Sequence, residues 1–328
     1  MGEPLISVII PIYNEQAVLE TLYQRLTTAL ESLKETFEVI LVDDGSRDKS
    51  LEMLRDIVTK DKRYKFLSFS RNFGHQTAIT AGLNVVQGKA IVIMDADLQD
   101  PPEELPRFLE KWKEGNDVVY AIRRRRKEGV IKRASYAAFY RLLAAISDIH
   151  IPLDSGDFCL MDRRIVDLLN RLPERNRFVR GIRSWLGFKQ VGLEYERHSR
   201  FAGDTKYSLK KLFKLAFDGM ISFSSLPLKL ASFLGFAVSG VAVLGIMFTF
   251  IQRVFISQFA AWGLKPVPGF ATTMITMLFL GGVQLICLGI IGEYLGRIYD
   301  EVKQRPLYVL REVSGFGEAT GDLLLPPK

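Results

Sequence analysis

Short apolar runs alternate with amphipathic stretches along the first 125 residues of the chain. Five runs rich in β-branched residues predict strands, and four stretches with apolar residues at i, i+3, i+4 and i+7 predict the helices between them. The predicted strands are LISVIIPIY, FEVILVDD, KFLSFSR, KAIVIMDAD and DVVYAI, and the predicted helices are EQAVLETLYQRLTTALESL, KSLEMLRDIVTK, HQTAITAGLNVV and PEELPRFLEKWKEG. This alternation predicts an α/β fold with a mostly parallel sheet covered on both faces, whose ligands bind beyond the carboxyl ends of the strands.

The later part of the chain contains two long runs without charge, Leu230 to Ile251 and Pro266 to Gly292. At about 1.5 Å of rise per residue, a helix over either run exceeds the roughly 30 Å of bilayer hydrocarbon. The runs therefore predict two transmembrane helices, at about 229–252 and 268–292, joined by a short outside loop. Two buried helices of a soluble core are the alternative, which we disfavour because core helices of that length rarely lack a polar face.

The basic residues beside these runs predict the orientation in the membrane. Lys and Arg are frequent before the first run and after the second, whereas the loop between them has only Arg253 and Lys265. By the positive-inside rule, both termini and the whole region before the first run lie in the cytoplasm. We therefore expect a multi-pass protein of the inner (plasma) membrane.

These patterns divide the chain into four parts. They are a cytoplasmic α/β domain at 1–207, an amphipathic juxtamembrane helix at 208–225, two transmembrane helices within 226–296, and a cytoplasmic tail at 297–328. The juxtamembrane stretch mixes lysines with aromatic and aliphatic residues, which is typical of a helix lying in the membrane interface. Residues 130–147 show the same mixture, and packing on the soluble domain is the alternative for both stretches.

The formal charge of +7 suits a protein lying on an anionic leaflet, and it also suits a nucleic-acid binder. The uncharged runs favour the first, so we expect a lipid bilayer and no nucleic acid as a partner. Gly292 and Gly296 form a G-x-x-x-G pattern that lets helices approach closely, either within one chain or between the chains of a homo-oligomer. The three histidines show no metal-ligand spacing, and we assign them structural or surface roles.

Acidic residues follow two of the predicted strands. Asp43 and Asp44 end the second strand, and Asp95, Asp97 and Gln99 follow the fourth. Carboxylates crowded in this way raise one another's pKa values unless a cation is present. Oxygen ligands of this kind suit Mg²⁺ or Mn²⁺, which normally shares its coordination with substrate phosphates. Asp clusters also cap helices and occupy turns, but the placement at two strand ends favours the metal.

Several longer motifs point to one family. They are VIIPIYNE, VDDGSRDKS, SRNFGHQTA, DADLQDPPE, SGDFCLMDRR, RFAGDTKYS and, after the second uncharged run, GIIGEYLGRIYDEVKQRP. Together they resemble the inverting family-2 glycosyltransferases with a GT-A fold, over nearly the whole chain. More closely, the chain is similar to the polyisoprenyl-phosphate glycosyltransferases, which include the bactoprenol glucosyltransferases and the dolichyl-phosphate mannose synthases.

The resemblance implies roles for individual residues. The positions that match the site of the nucleotide-sugar donor are Pro11, Tyr13, Glu15, Asp44, Arg71 and Asp95. The positions that match the metal-binding segment are Asp95, Asp97 and Gln99. The positions that match the site of the acceptor phosphate are Arg123, Arg133, Ser135, Arg200 and Lys206. Asp97 and Asp157 are the catalytic residues that the resemblance implies, with Asp157 near the sugar and the acceptor.

A lipid monophosphate acceptor changes what catalysis requires. The second pKa of a phosphate monoester is about 6, so at neutral pH the acceptor is already mostly an oxyanion. No strong general base is then needed, whereas fixed cations must bring two anionic groups together. We therefore expect Asp157 to position the sugar, with proton abstraction as the lesser role.

The expected function is inverting transfer of one hexose, glucose from UDP-glucose, to polyisoprenyl (undecaprenyl) phosphate at the cytoplasmic membrane face. Aminoarabinose derivatives, mannose and N-acetylhexosamine are the alternative sugars. A processive polysaccharide synthase is disfavoured because its Q-x-x-R-W signature is missing around Arg183 and Trp185. Two further hypotheses come from functional classes other than enzymes. They are a flippase for lipid-linked sugar and a catalytically inactive nucleotide-binding scaffold.

Overall fold

A computed structural model of the chain describes residues 3–124, 155–175, 177–196, 226–255 and 269–317. The chain divides into two compact units. The first comprises Met1–Leu215 together with Arg305–Lys328, and the second comprises Ala216–Gln304. The predicted amphipathic stretches at 130–147 and 208–225 lie outside the described residues.

The first unit is an α/β domain. Its described strands are β1 (Ile6–Ile12), β2 (Phe37–Asp43), β3 (Tyr64–Phe69), β4 (Ala90–Ile93), β5 (Val118–Arg124), β6 (Ser155–Asp162), β7 (Gln190–Glu196) and β8 (Leu310–Ser314). Its described helices are α1 (Leu19–Ser32), α2 (Ser50–Lys60), α3 (His75–Val85), α4 (Leu105–Lys113), α5 (Arg163–Arg171) and α6 (Val179–Trp185), with a 3₁₀ turn at Pro102–Glu104. The five predicted strands and four predicted helices of the first 125 residues are all present.

In the described part of the chain the strands form one mixed sheet, ordered β7-β5-β6-β4-β1-β2-β3-β8. The central strands β4, β1, β2 and β3 are parallel, and β5 is parallel to β7. Strand β6 runs antiparallel to both β4 and β5, and β8 runs antiparallel to β3. The α/β, mostly parallel part of the fold prediction is therefore confirmed, while the antiparallel strands were not predicted.

The core lies in two apolar layers, one on each face of the sheet. Alternate residues of β1 point to opposite layers, with Val8 and Ile10 in one and Ile9 in the other. Helices α1, α2 and α4 cover the first layer, and α3, α5 and α6 cover the second. Burial on both faces explains why the central strands appear in the sequence as nearly continuous apolar runs.

The strand order places a topological switch at the centre of the sheet. From β1 the chain moves outward through β2 and β3, and then returns to add β4 on the opposite side of β1. The direction in which strands are added therefore reverses between β1 and β4. In open α/β sheets, ligands bind in the crevice beyond the carboxyl ends of the strands at such a switch point.

The second unit contains two long helices, α7 (Leu226–Val254) and α8 (Gly269–Val302). They contain the two segments predicted to span the membrane. Among the described residues, one segment, Phe279–Val302, is long and apolar enough to cross a bilayer, with a mean hydropathy of 1.5. The described part of α7 contains a shorter apolar stretch, Phe233–Gly245, so two membrane spans remain a prediction.

The two helices pack against each other, and the Cys287 thiol contacts the carbonyl oxygen of Ala231 at 3.5 Å. The predicted G-x-x-x-G does not mediate this packing. A Cβ atom built on Gly292 or Gly296 would meet nothing within 4 Å in the described structure. The sequence left two uses of these glycines open, and among the described residues close packing within one chain is not observed.

The segment at 297–328 contains more structure than a tail. Helix α8 continues to Val302, and Leu310–Ser314 then forms the edge strand β8. Two of the five residues LREVS are charged, so the sequence shows no strand pattern there. Pairing with the backbone of β3 stabilises this strand.

Candidate active site

The parallel strands bring the predicted donor and metal residues to one edge of the sheet. Ile12 of β1 lies beside Asp43 of β2, so Tyr13 and Asp44 both follow directly at that edge. Arg71 follows β3 and Asp95 follows β4 on either side of them. Pro11 itself is buried within β1. The edge therefore joins residues that are up to about 84 positions apart in the chain.

Reciprocal hydrogen bonds join the loops that follow β1 and β2. The Asn14 amide donates to Ser46 Oγ at 3.0 Å, and the Arg47 amide donates back to Asn14 Oδ1 at 2.8 Å. The Glu15 amide donates to Ser50 Oγ at 2.9 Å. This network fixes the backbone on both sides of Tyr13 and Glu15 at the mouth of the crevice.

The Asp44 carboxylate organises the loop that follows β3. It accepts hydrogen bonds from the amides of Phe73 and Gly74, at 2.6 and 3.0 Å, and from Asn72 Nδ2 at 2.8 Å. Burial raises the pKa of Asp44, although the two backbone amides act in the opposite direction. Asp44 therefore lies at the edge where β2 ends, and its oxygens hold the loop from Asn72 to Gly74.

Gly45 allows these two loops to touch. Its φ of +69° lies in the left-handed region, and a Cβ atom there would stand 2.5 Å from the carbonyl carbon of Arg71. Only glycine meets both requirements. Arg71 is thereby held at the crevice, with its exposed guanidinium 4.0 Å from the centre of the Phe73 ring.

The acidic loop after β4 has a strained but well-packed turn. Leu98 has a φ of 56°, rare for a branched side chain, and is buried to 2% exposure. The Gln99 amide donates to Asp97 Oδ1 at 3.1 Å. Asp100, also buried, accepts a hydrogen bond from the Tyr195 hydroxyl. Strain of this kind persists only where the surroundings hold it, which is common at functional sites.

His75 connects the acidic loop to Asp157. His75 Nε2 lies 3.6 Å from Asp95 Oδ1 and 3.5 Å from Asp157 Oδ2. The sheet register explains this meeting, because Ile93 of β4 pairs with Cys159 of β6, and two residues further along each strand are Asp95 and Asp157. The antiparallel strand β6 thus brings a further carboxylate to the edge where the parallel strands end.

Asp157 is surrounded by donors. Its Oδ1 accepts from Arg180 Nη2 at 3.1 Å, and its Oδ2 faces His75 and Gln76 Nε2, the latter at 3.4 Å. Gln76 Oε1 in turn accepts from the Val179 amide at 3.1 Å, which ties α3 to the start of α6. Although burial acts against it, the contacts with His75 and Arg180 hold the pKa of Asp157 well below its usual range. A carboxylate this weakly basic is poorly suited to remove a proton.

His75 carries a positive charge at this position. Burial acts against that charge, but the contact with Asp157 and the negative charges of Asp95 and Asp157 raise the pKa of His75 to about 9. The sequence patterns predict no site role for His75, Gln76 or Arg180. The signal for His75 and Gln76 is their place in the motif SRNFGHQTA, directly after a strand end.

The acidic loop fits a divalent cation. Removal from bulk water, together with the charges of three neighbouring carboxylates, raises the pKa of Asp95 to about 6. Such crowding favours a bound cation. Among the described residues, no group of three or more His, Cys, Asp or Glu side chains is arranged to hold a metal ion by itself. Asp95, Asp97 and Gln99 supply oxygen donors, which suit a divalent ion that shares its coordination with ligand phosphates.

The predicted acceptor residues are only partly described. Arg123 lies near the end of β5, where its backbone pairs with Tyr195. The end of β5 lies at the same edge as Asp157, because β5 and β4 both run antiparallel to β6. The other predicted acceptor residues, Arg133, Ser135, Arg200 and Lys206, lie outside the described residues.

The chain is similar to known glycosyltransferases. The model of glycosyl transferase family 2 matches residues 7–169, the segment that contains β1 to β6. An uncharacterized glycosyltransferase of Bacillus subtilis (strain 168), YkcC, is 49% identical over 310 residues, which are 94% of each chain. The chain belongs to glycosyl transferase family 2.

The second unit matches a separate model, the GtrB C-terminal hairpin, over residues 226–298. The bactoprenol glucosyl transferase of Shigella phage SfII is 38% identical over 308 residues, covering 94% of this chain and 97% of that one. The similarity to that glycosyltransferase therefore extends through both units. A glucosyl-3-phosphoglycerate synthase structure from Mycobacterium tuberculosis, with 18% identity, covers 67% of this chain and 79% of its own, with a TM-score of 0.46. That likeness is too distant to inform the site.

Proposed function

We propose that this glycosyltransferase transfers a single glucose from UDP-glucose to polyisoprenyl phosphate, with inversion, at the cytoplasmic face of the membrane. The observation that carries the proposal is the pair of contacts around Asp157. Its oxygens lie 3.1 Å from Arg180 Nη2 and 3.5 Å from His75 Nε2, and these contacts hold its pKa low. The site therefore suits an acceptor that needs no proton removed.

A lipid phosphate is such an acceptor. Its second pKa of about 6 leaves it mostly dianionic at neutral pH, so it attacks without a general base. The obstacle is repulsion between the acceptor phosphate and the donor diphosphate. Fixed positive groups at the crevice lower that barrier because they are already oriented when the anions arrive. His75 and Arg71 are two described side chains with positive charge at this edge, and the backbone of Arg123, a predicted acceptor residue, reaches the same edge.

Asp95, Asp97 and Gln99 would hold Mg²⁺ or Mn²⁺ at the β4 loop. When bound, such an ion neutralises charge on the departing nucleoside diphosphate. The chain's own residues supply the rest of the arrangement. The hydrogen bonds between the loops after β1 and β2 support a role for Tyr13 and Glu15 at the nucleoside. The position of Asp157 beside the acidic loop supports a role in orienting the sugar.

The second unit supports a membrane-bound acceptor. The segment Phe279–Val302 is long and apolar enough to span a bilayer, and within it Leu285, Leu288 and Leu295 are each more than 60% exposed. Exposed leucines at this density are stable in lipid and costly in water. The named relative at 38% identity is a bactoprenol glucosyl transferase, and bactoprenol phosphate is a polyisoprenyl phosphate.

The test uses the purified full-length protein in nanodiscs with undecaprenyl phosphate. Radiolabelled UDP-glucose, UDP-N-acetylglucosamine and GDP-mannose are offered separately with Mg²⁺ or Mn²⁺. We expect an acid-labile glycolipid from UDP-glucose and none from a lipid alcohol lacking the phosphate. Glycolipid formed from another donor would change only the identity of the transferred sugar in the proposal. Movement of preformed lipid-linked sugar across the bilayer without any donor would indicate a flippase.

A further inference from the structure

The chain returns to the first unit directly after α8. Residues 303–307 separate Val302, the last residue of α8, from Tyr308. The backbone beyond Tyr308 then pairs along the outer edge of β3 as β8. We call residues 305–317 the C-terminal segment. It lies beside β3, the strand that leads into the loop carrying Arg71.

Tyr308 begins an aromatic stack that reaches this loop. Its ring lies 5.0 Å from that of Phe69, nearly parallel at 17°. Phe69, the last residue of β3, is 1% exposed and packs edge-on against Phe73 at 5.7 Å and 88°. The Tyr308 hydroxyl also accepts a hydrogen bond from Asn84 Nδ2 of α3 at 3.1 Å. One ring of the C-terminal segment is therefore packed between β3 and α3.

The loop at 70–74 is held from two sides. On the outer side, the Ser70 amide donates to the Val309 carbonyl at 2.9 Å. On the inner side, Asp44 accepts from the amides of Phe73 and Gly74. Arg71 lies between these two attachments, and its guanidinium rests on the Phe73 ring. The loop then leads directly into His75.

We propose that Tyr308 is a positioning residue for the nucleotide-sugar site, acting through Phe69 and Phe73 on Asp44 and Arg71. Removing its ring leaves Phe69 unsupported on the outer side, so Phe73 and its hydrogen bond to Asp44 lose their fixed position. Small displacements of positioned groups are costly because binding depends on their orientation. The proposal rests on the proposed function in one respect, namely that the donor occupies this edge.

The experiment compares three variants of the full-length protein in nanodiscs. Tyr308→Ala removes the ring, and Tyr308→Phe keeps the ring and removes the hydroxyl. Phe316→Ala is the matched control, because Phe316 also lies in the C-terminal segment but contacts β3 at its opposite end, with its ring 5.2 Å from Lys65 Nζ. For each protein, KM for the donor and kcat are measured at saturating lipid phosphate, and the affinity for UDP is measured by calorimetry.

Loss of one aromatic pair predicts that Tyr308→Ala raises the donor KM and the UDP dissociation constant by about 5-fold to 10-fold, with kcat within about 2-fold. Tyr308→Phe restores both values to those of the wild type. Phe316→Ala lowers the unfolding temperature without changing KM. A merely structural role would lower the active fraction, and therefore kcat, with KM unchanged.

Two results overturn the inference. One is an unchanged donor KM and UDP affinity in Tyr308→Ala, and the other is an equal change in Phe316→Ala. Failure of the proposed function is distinguishable from both, because the wild-type protein would then form no glycolipid from any nucleotide sugar while UDP affinity could still be compared.

Discussion

Asp95 and Asp157 stand on either side of the same imidazole, yet their surroundings are opposite. Asp157 contacts Arg180 as well as His75, and its pKa is lowered. Asp95 contacts His75 at 3.6 Å and lies among other carboxylates, and its pKa is raised to about 6. Two cationic side chains contact Asp157, whereas Asp95 contacts one and lies among other carboxylates. Carboxylates whose environments separate in this way have different roles.

The difference supports the proposed metal on one side of His75 and a positioning role for Asp157 on the other. At the β4 loop, a divalent cation bound with the ligand would supply further positive charge. At β6, His75 of α3 and Arg180 of α6 supply positive charge, and their contacts hold the Asp157 side chain in place. The predictions below test each side separately.

The largest effect is expected on the metal side. Asp97→Ala removes a proposed metal ligand from the acidic loop after β4. We expect glycolipid formation to fall at least about 10³-fold. Chelation of the wild-type protein with EDTA should give a comparable loss, restored by Mn²⁺ or Mg²⁺. Full activity after chelation would contradict the assignment.

A smaller effect is expected at Asp157. Asp157→Asn keeps the size of the side chain but removes the charge that Arg180 and His75 share, so we expect kcat to fall about 10²-fold through misplacement of the sugar. The metal concentration for half-maximal activity should not change. Added formate provides the control, because rescue by a small carboxylate would indicate a general base and contradict the positioning role.

The smallest effect is expected at Tyr195, whose hydroxyl donates a hydrogen bond to Asp100 in the acidic loop after β4. Tyr195→Phe should raise the metal concentration for half-maximal activity about 5-fold, because one hydrogen bond to a charged group is lost. Tyr64→Phe is the matched control, since Tyr64 is equally buried and shares a 2.7 Å hydrogen bond with Thr27 at the other end of the sheet. Equal responses of the two variants would show that the effect is only structural.

The sequence predicted the elements whose pattern is local. Strands β1 to β5 are recognisable because they are apolar runs bounded by turns, and the acidic loop is visible because it follows β4. Strand β6 lies in the motif SGDFCLMDRR, for which the sequence analysis predicts no strand. Its alternation, with Phe158 and Leu160 in one core layer and Cys159 and Met161 in the other, is short and bounded by charges.

The site could be predicted only in part, because its remaining contacts depend on tertiary structure. Gln76 and Asp157 are 81 residues apart, and Asn84 and Tyr308 are 224 apart. These pairs meet because β6 inserts next to β4 and β8 adds to β3 in directions that no local pattern encodes. The same holds for Asp44. Its position at a strand end can be predicted from the sequence, but the three hydrogen-bond donors to its carboxylate, at Asn72 to Gly74, cannot.

The most direct test of the unequal compensation is Mn²⁺ binding in the presence of UDP, followed by electron paramagnetic resonance, in Asp95→Asn and Asp157→Asn. We predict that Asp95→Asn weakens Mn²⁺ binding at least about 10-fold, since a charged ligand is lost, while Asp157→Asn leaves it within about 2-fold of the wild type. Equal weakening in both variants, or none in Asp95→Asn, would contradict the account.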